Sequence, residues 1–143
     1  MQTRHDELLL ALWRAGDTVR SRLGDVAGEF GVTFQQYMVL RILAEGDGSG
    51  VPTLDIASRM VERAPGITGL VDRLERRGLV LRQRSSADRR QIRCLLTGEG
   101  RDLLDRMEQR ADQTKSDAIS MLTGHEVGVL RHLLARMGKA VNA

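Results

Sequence analysis

The sequence predicts a mostly α-helical fold with one small β-hairpin. Three observations predict it. Apolar residues recur at steps of three and four through most of the chain, the period of an amphipathic helix. Threonines stand where several of these stripes begin, two of them followed three residues later by Gln or Glu, as in a capping box. Between residues 79 and 96 the period changes to two short runs around a polar tip, the pattern of paired strands.

The elements follow in order. Leu8, Leu12, Ala15, Val19, Leu23, Val26 and Phe30 form one stripe of a long first helix that ends near Gly31. Thr33 and Gln36 make a capping box for a second helix, which carries Tyr37, Leu40, Ile42 and Leu43 to about Glu45. Gly46-Asp47-Gly48-Ser49-Gly50 reads as a flexible loop. Thr53 caps a short third helix, Leu54 to about Glu62, with Ile56, Ala57 and Met60 facing inward. Pro65 suits the first turn of a fourth helix, whose apolar positions are Ile67, Leu70, Val71 and Leu74. Gly78 stops that helix.

Two runs, 79–84 and 91–96, then read as strands joined by the charged tip 85–90. Thr97 opens a fifth helix with Leu103, Leu104, Met107, Ala111, Ala118 and Leu122 on its apolar side. Thr123 and Glu126 form a second capping box, and the last helix carries Val127, Leu130, Leu133, Leu134, Met137 and Val141.

At 143 residues the chain is one domain's worth. No apolar run approaches the roughly 20 residues of a membrane span, and the start of the chain has no signal-peptide pattern. A cytoplasmic protein is therefore expected. The single cysteine, Cys94, excludes an intrachain disulfide framework and a multi-cysteine zinc site. Flanked along one strand face by Ile92 and Leu96, it reads as a buried structural thiol. His5, His125 and His132 are scattered, so neither a metal nor a cofactor is expected. Ser85, Ser86 and Asp88 share the hairpin tip with no neighbouring His, and no acid/base or nucleophile pair is visible. An enzyme is not expected.

Charge is the more informative quantity. The net charge is +3, yet residues 59–93 hold ten arginines against four acids, a local +6 that leaves −3 for the rest. A basic middle between slightly acidic ends suits a localised anionic partner. Two short helices followed by a basic hairpin make a winged helix-turn-helix, in which a helix enters the major groove and the hairpin reaches the minor groove or the phosphates. On the fourth helix the face opposite the apolar positions carries Pro65, Thr68, Gly69, Asp72, Arg73 and Arg76. Thr68 can donate to a phosphate or meet a thymine methyl group, and Arg73 can take a guanine edge or a phosphate. Arg76 and Arg77 read equally well as a solvated helix end.

Three stretches carry a resemblance to a known family: VTFQQYMVLRIL, DIASRMVERAPGITGLVDRLERRGLVLR and SSADRRQIRCLLTGEGRDLL. The sequence resembles the MarR (multiple antibiotic resistance regulator) family closely from Thr33 to Leu104, and its flanking helices fit in kind. The resemblance implies one domain, 1–143, with a DNA-binding lobe at 33–97 and dimerisation helices at 4–30 and 98–141. It implies a homodimer, which agrees with long apolar stripes exceeding what a small core can cover. Two recognition helices would then sit about 34–36 Å apart on a near-palindromic duplex.

Asp88-Arg89-Arg90 matches the family's wing motif. By that match Asp88 holds Arg90, Arg90 enters the minor groove, and Arg89 serves the backbone with Arg82 and Arg84 further along the strand. Gly69 departs from the longer polar residue common in the family, which shifts weight from base readout to phosphates and shape. The resemblance also implies a crevice for small aromatic or phenolic acids, for which Trp13, Phe30, Tyr37, Met38 and Arg41 are the candidate lining. The expected function is a dimeric DNA-binding transcription regulator, a repressor modulated by a small molecule. The competing reading is a winged-helix module that binds another protein and leaves DNA alone.

Overall fold

A computed structural model describes residues 2–61 and 66–141. The elements are α1 (Gln2–Glu29), α2 (Phe34–Ala44), β1 (Val51–Pro52), α3 (Thr53–Arg59), α4 (Ile67–Arg76), β2 (Val80–Arg84), β3 (Ile92–Leu96), α5 (Gly98–Ile119) and α6 (Gly124–Val141). This is the expected mostly α fold with a small β-hairpin and a helix-turn-helix before it.

Three of the caps read from the sequence are formed. Thr33 accepts from the Gln36 amide while the Gln36 side chain accepts from the Thr33 amide. Thr97 accepts from the Gly100 amide, and Thr123 and Glu126 exchange the same pair of bonds at the start of α6. Each satisfies donors that the first turn of a helix leaves without a partner.

Three expectations on α3 need correction. Thr53 is the first helical residue rather than its cap, and no side chain caps this helix. Ala57 is exposed, leaving Ile56 fully buried and Met60 packed against the core's edge. The helix also stops at Arg59, with Met60 as its C-cap, so Ile56 is its one buried position. The expected place of Pro65 in α4 lies outside the described residues.

The sheet has a third strand that the hairpin pattern did not announce. β1 pairs with β3 through Val51 opposite Cys94, and β3 pairs with β2 through Val80 opposite Leu96 and Arg84 opposite Ile92, all antiparallel. The order is β1-β3-β2. Arg93 locks the glycine-rich loop before β1, its guanidinium donating to the carbonyls of Ser49 and Gly50 and to the side chains of Ser49 and Gln91.

The core gathers α2, α3, α4, the sheet and the first half of α5. Tyr37, Val39, Leu40, Ile56, Val71, Leu74, Val80, Cys94 and Met107 are its largest fully buried members. Burying each aliphatic side chain of this size contributes roughly 1.5–3 kcal/mol. Gly100 makes this packing possible, because a Cβ there would sit 2.1 Å from the Leu79 carbonyl oxygen. Gly78, at φ 72°, turns the chain out of α4, and the Leu79 amide closes the turn on the Leu74 carbonyl at 3.0 Å.

The long helices behave differently along their length. Among the described side chains of α1 only Val26 and Ala27 are buried, while Leu8, Leu9, Leu10 and Trp13 are exposed. On α6 Leu130, Leu133, Leu134 and Met137 are all exposed. Ala118 and Leu122, expected on the apolar side of α5, are exposed as well.

Candidate nucleic-acid interface

The wing is a β2–β3 hairpin whose tip is held by its own backbone. The Ser85 amide donates to the Gln91 carbonyl at 2.9 Å, and the Gln91 amide to the Asp88 carbonyl at 3.0 Å. The Ser85 hydroxyl oxygen accepts from the amides of Ala87 and Asp88. Asp88 does hold Arg90, but through the main chain: its carboxylate accepts the Arg90 amide at 3.0 Å. Such an aspartate-led turn fixes where the Arg90 Cα sits and leaves the guanidinium free to reach outward. Among the described residues, the guanidinium groups of Arg84, Arg89 and Arg90 have no ion-pair or hydrogen-bond partner, and all three residues are exposed.

On α4, Thr68 and Arg73 are exposed and Gly69 is half-buried, while Leu70, Val71 and Leu74 face the core. The Arg73 Nε donates to the Gly69 carbonyl at 3.1 Å, so the guanidinium lies over the space that a longer side chain at 69 would occupy. Thr68 and Arg90 flank one groove of about 330 Å³ between the helix pair and the wing. The structure thus brings Thr68, Gly69, Arg73, Arg84, Asp88, Arg89 and Arg90 to α4 and the neighbouring wing.

Several basic residues of the +6 segment are committed inside the protein. Arg77 donates to the carbonyls of Gly31, at 2.6 Å, and Phe30, closing the C-terminal end of α1. It is a cap, not a solvated helix end. Arg93 holds the loop described above. Arg82, expected to serve the DNA backbone, is instead bound by two carboxylates of α4: its Nη2 lies 2.5 Å from Asp72 and 2.7 Å from Glu75. Among the described residues of that segment, the arginines left facing outward are Arg59 at the end of α3, Arg73 and Arg76 on α4, and Arg84, Arg89 and Arg90 on the wing.

Cys94 is buried. Burial pushes its thiol above the usual range, outweighing the Thr53 hydroxyl 3.8 Å away, which works in the other direction. A protonated, enclosed thiol is a poor nucleophile. Of its expected strand-face companions, Leu96 is half-buried but Ile92 is exposed.

The candidate crevice residues do not all meet. Tyr37 is buried, Phe30, Met38 and Arg41 are half-buried, and Trp13 is exposed on the far half of α1. At 1.5 Å per helical residue Trp13 stands about 25 Å along α1 from Phe30, so these two cannot line one crevice in one protomer. Tyr37 and Arg41 belong to a charged joint that the sequence did not signal. The Tyr37 hydroxyl donates to Glu108 of α5 at 2.6 Å, Arg41 Nε lies 3.2 Å from the same oxygen, and Lys115 holds the other oxygen.

Burial, then the bond to Glu108, pushes the Tyr37 phenol far above its ordinary value. Burial alone would raise the Glu108 carboxyl, but the bonds from Lys115 and Tyr37 and the charges of Lys115 and Arg41 hold it below the usual range. A carboxylate lowered by folding stabilises the protein above its unfolded pKa, about 4.3, and loses that contribution as pH falls through the lower folded value. Glu108→Ala is expected to cost about 1–3 kcal/mol, because it leaves a buried phenol hydroxyl without a partner. Urea unfolding at neutral pH and below about pH 4 checks this: the gap between wild type and variant narrows in acid. A gap of equal size at both would show that the charge contributes nothing.

Comparisons with known proteins agree with this geometry. Residues 30–91 match the model of the MarR family. Along almost its whole length the chain is similar to the HTH-type transcriptional regulator FarR of Neisseria gonorrhoeae, at 30% identity over 99% of this chain and 96% of the relative.

The chain belongs to the MarR family.

It is a winged helix-turn-helix, DNA-binding transcription regulator. Another relative is the homoprotocatechuate degradative operon repressor of Escherichia coli, 32% identical over 91% of this chain and 86% of that protein. Among solved structures, CouR from Rhodococcus jostii RHA1 bound to p-coumaroyl-CoA superposes with a TM-score of 0.82 at 30% identity, covering 93% of this chain and 92% of the other. No helix among the described residues is long and apolar enough to cross a membrane.

Proposed function

We propose that this MarR-family chain acts as a homodimeric repressor that grips a near-palindromic operator with paired α4 helices and Arg90-tipped wings. The observation that carries the reading is the free, exposed guanidinium of Arg90, its backbone pinned by Asp88 beside the Thr68 face of α4. A narrow A·T-rich minor groove concentrates negative potential, and a pre-placed arginine enters it with little entropy loss. Thr68 and Arg73 serve the major groove and its phosphates, with Arg84 and Arg89 on the flanking backbone.

The dimer reading rests on the apolar faces of α1 and α6. Leu8, Leu12, Leu130, Leu133, Leu134 and Met137 line a cleft of about 490 Å³ that one chain leaves open. Surfaces of this kind mark association sites. Residues 33–97 form the DNA-binding lobe, and 4–30 and 98–141 the dimerisation helices. The protein works where the chromosome is, in the cytoplasm.

The effector is a small aromatic or phenolic acid. Both the homoprotocatechuate operon repressor and CouR with p-coumaroyl-CoA carry aromatic chemistry in their names. The effector acts by favouring a spacing of the two α4 helices that misfits the duplex. Titration of the chain's own upstream region at two salt concentrations tests the reading. Tight, salt-sensitive binding supports it. Failure to bind any duplex while a protein partner is retained would favour the interaction-module reading.

A further inference from the structure

The +6 segment includes an arginine whose placement neither the wing motif nor the core explains. Arg82 lies on β2, on the strand face it shares with Val80 and Arg84. That face runs outward from the core: Val80 is buried, Arg82 half-buried and Arg84 exposed. Opposite Arg82 stand Asp72 and Glu75, three apart on α4 and hence on one helix face. Arg82 Nε and Nη2 both reach Glu75 Oε2 at 2.7 Å, and Nη2 reaches Asp72 Oδ1 at 2.5 Å. The Arg82 amide also donates to Glu75 Oε1 at 3.4 Å. All three side chains are about one-third exposed, less hydrated than an ordinary surface pair.

We infer that Arg82 is a positioning residue: its guanidinium, shared by Asp72 and Glu75, sets the recognition helix against the wing without touching DNA. The inference rests on the DNA-binding reading above. Two physical consequences follow from the geometry. First, Thr68 and Arg90 stand across a single groove that Arg82 also lines, so the distance between the helix's contact and the wing's contact is held through this triad. A planar fork suits two carboxylates at fixed angles, and a flexible ammonium does not. Second, α4 offers two acidic groups on an element that must approach a polyanion. Held by Arg82, the two carboxylates keep their oxygens turned toward β2.

The test is a double-mutant cycle on a 30-base-pair duplex recovered by selection from random sequence, followed at several salt concentrations. Arg82→Gln is expected to weaken binding by about 10-fold while the salt slope stays at the wild-type value. In an Asp72→Asn/Glu75→Gln background the same substitution is expected to change affinity by less than about twofold. Arg82→Lys guards against a folding failure of the glutamine variant: it keeps the cation and is expected to melt with wild type yet lose part of the affinity.

Equal losses in both backgrounds, with a slope lowered by about 0.9 per protomer, would make Arg82 a phosphate contact and overturn the inference. Full affinity of Arg82→Lys would overturn it too, since charge alone would then suffice. If wild type itself holds no duplex at any salt, the DNA-binding reading fails and takes this inference with it. Intact wild-type binding with an additive cycle removes this inference alone.

Discussion

Arg90→Ala is expected to weaken binding to duplexes of many sequences by roughly 10-fold or more, a loss of about 1–3 kcal/mol. It should also flatten the salt dependence by about 0.9 in slope for each wing. Asp88 and Ser85 use their oxygens on main-chain amides, so the turn survives loss of the arginine side chain. The variant therefore removes a cation and leaves the scaffold. Because a minor groove is read mainly through its width and potential, the loss falls on related and unrelated duplexes alike. Fluorescence anisotropy at two ionic strengths measures both quantities. Unchanged affinity at both would remove Arg90 from the interface.

The second large effect concerns assembly. Leu133→Asp with Leu134→Asp is expected to give a monomer in sedimentation experiments and to lower DNA affinity by at least about 100-fold. Neither leucine belongs to the buried core cluster, and both lie on the cleft beside Leu8 and Leu12. In a dimer each would bury apolar area worth roughly 1.5–3 kcal/mol, and an aspartate there would carry a charge into that interface at further cost. Once one recognition helix is docked, the second binds at high effective concentration only while the two copies remain joined. A variant that remains dimeric would place the association elsewhere on the chain.

Local signals were the most legible part of this fold. Thr33 with Gln36 and Thr123 with Glu126 announce helix starts because capping is decided within four residues. The α4 stripe Ile67, Leu70, Val71 and Leu74 announces its buried face for the same reason. β1 was hidden because Val51 and Pro52 are too few to show a period, and the strand exists only through β3. A seven-residue helix supplies too little pattern to separate adjacent positions, so the sequence does not tell exposed Ala57 from buried Ile56.

The interface was legible as a type of surface and less so residue by residue. A charge count treats all arginines alike, whereas Arg77, Arg82 and Arg93 are bound within the protein. The acidic pair Asp72 and Glu75, three apart on the helix just before β2, was the signal that could have marked Arg82. Glu108 and its partners left no such trace, because Tyr37 and Glu108 meet across 71 residues of sequence.

The central claim is that two copies of this chain set paired α4 helices and wings on one duplex. Hydroxyl-radical footprinting on a duplex selected from random sequence tests it most directly. The account predicts two protected stretches centred about 10–10.5 base pairs apart, or a whole multiple of that, related by two-fold symmetry and flanked by minor-groove protection that disappears with Arg90→Ala. A single protected stretch, or protection confined to the backbone with no two-fold relation, would contradict it.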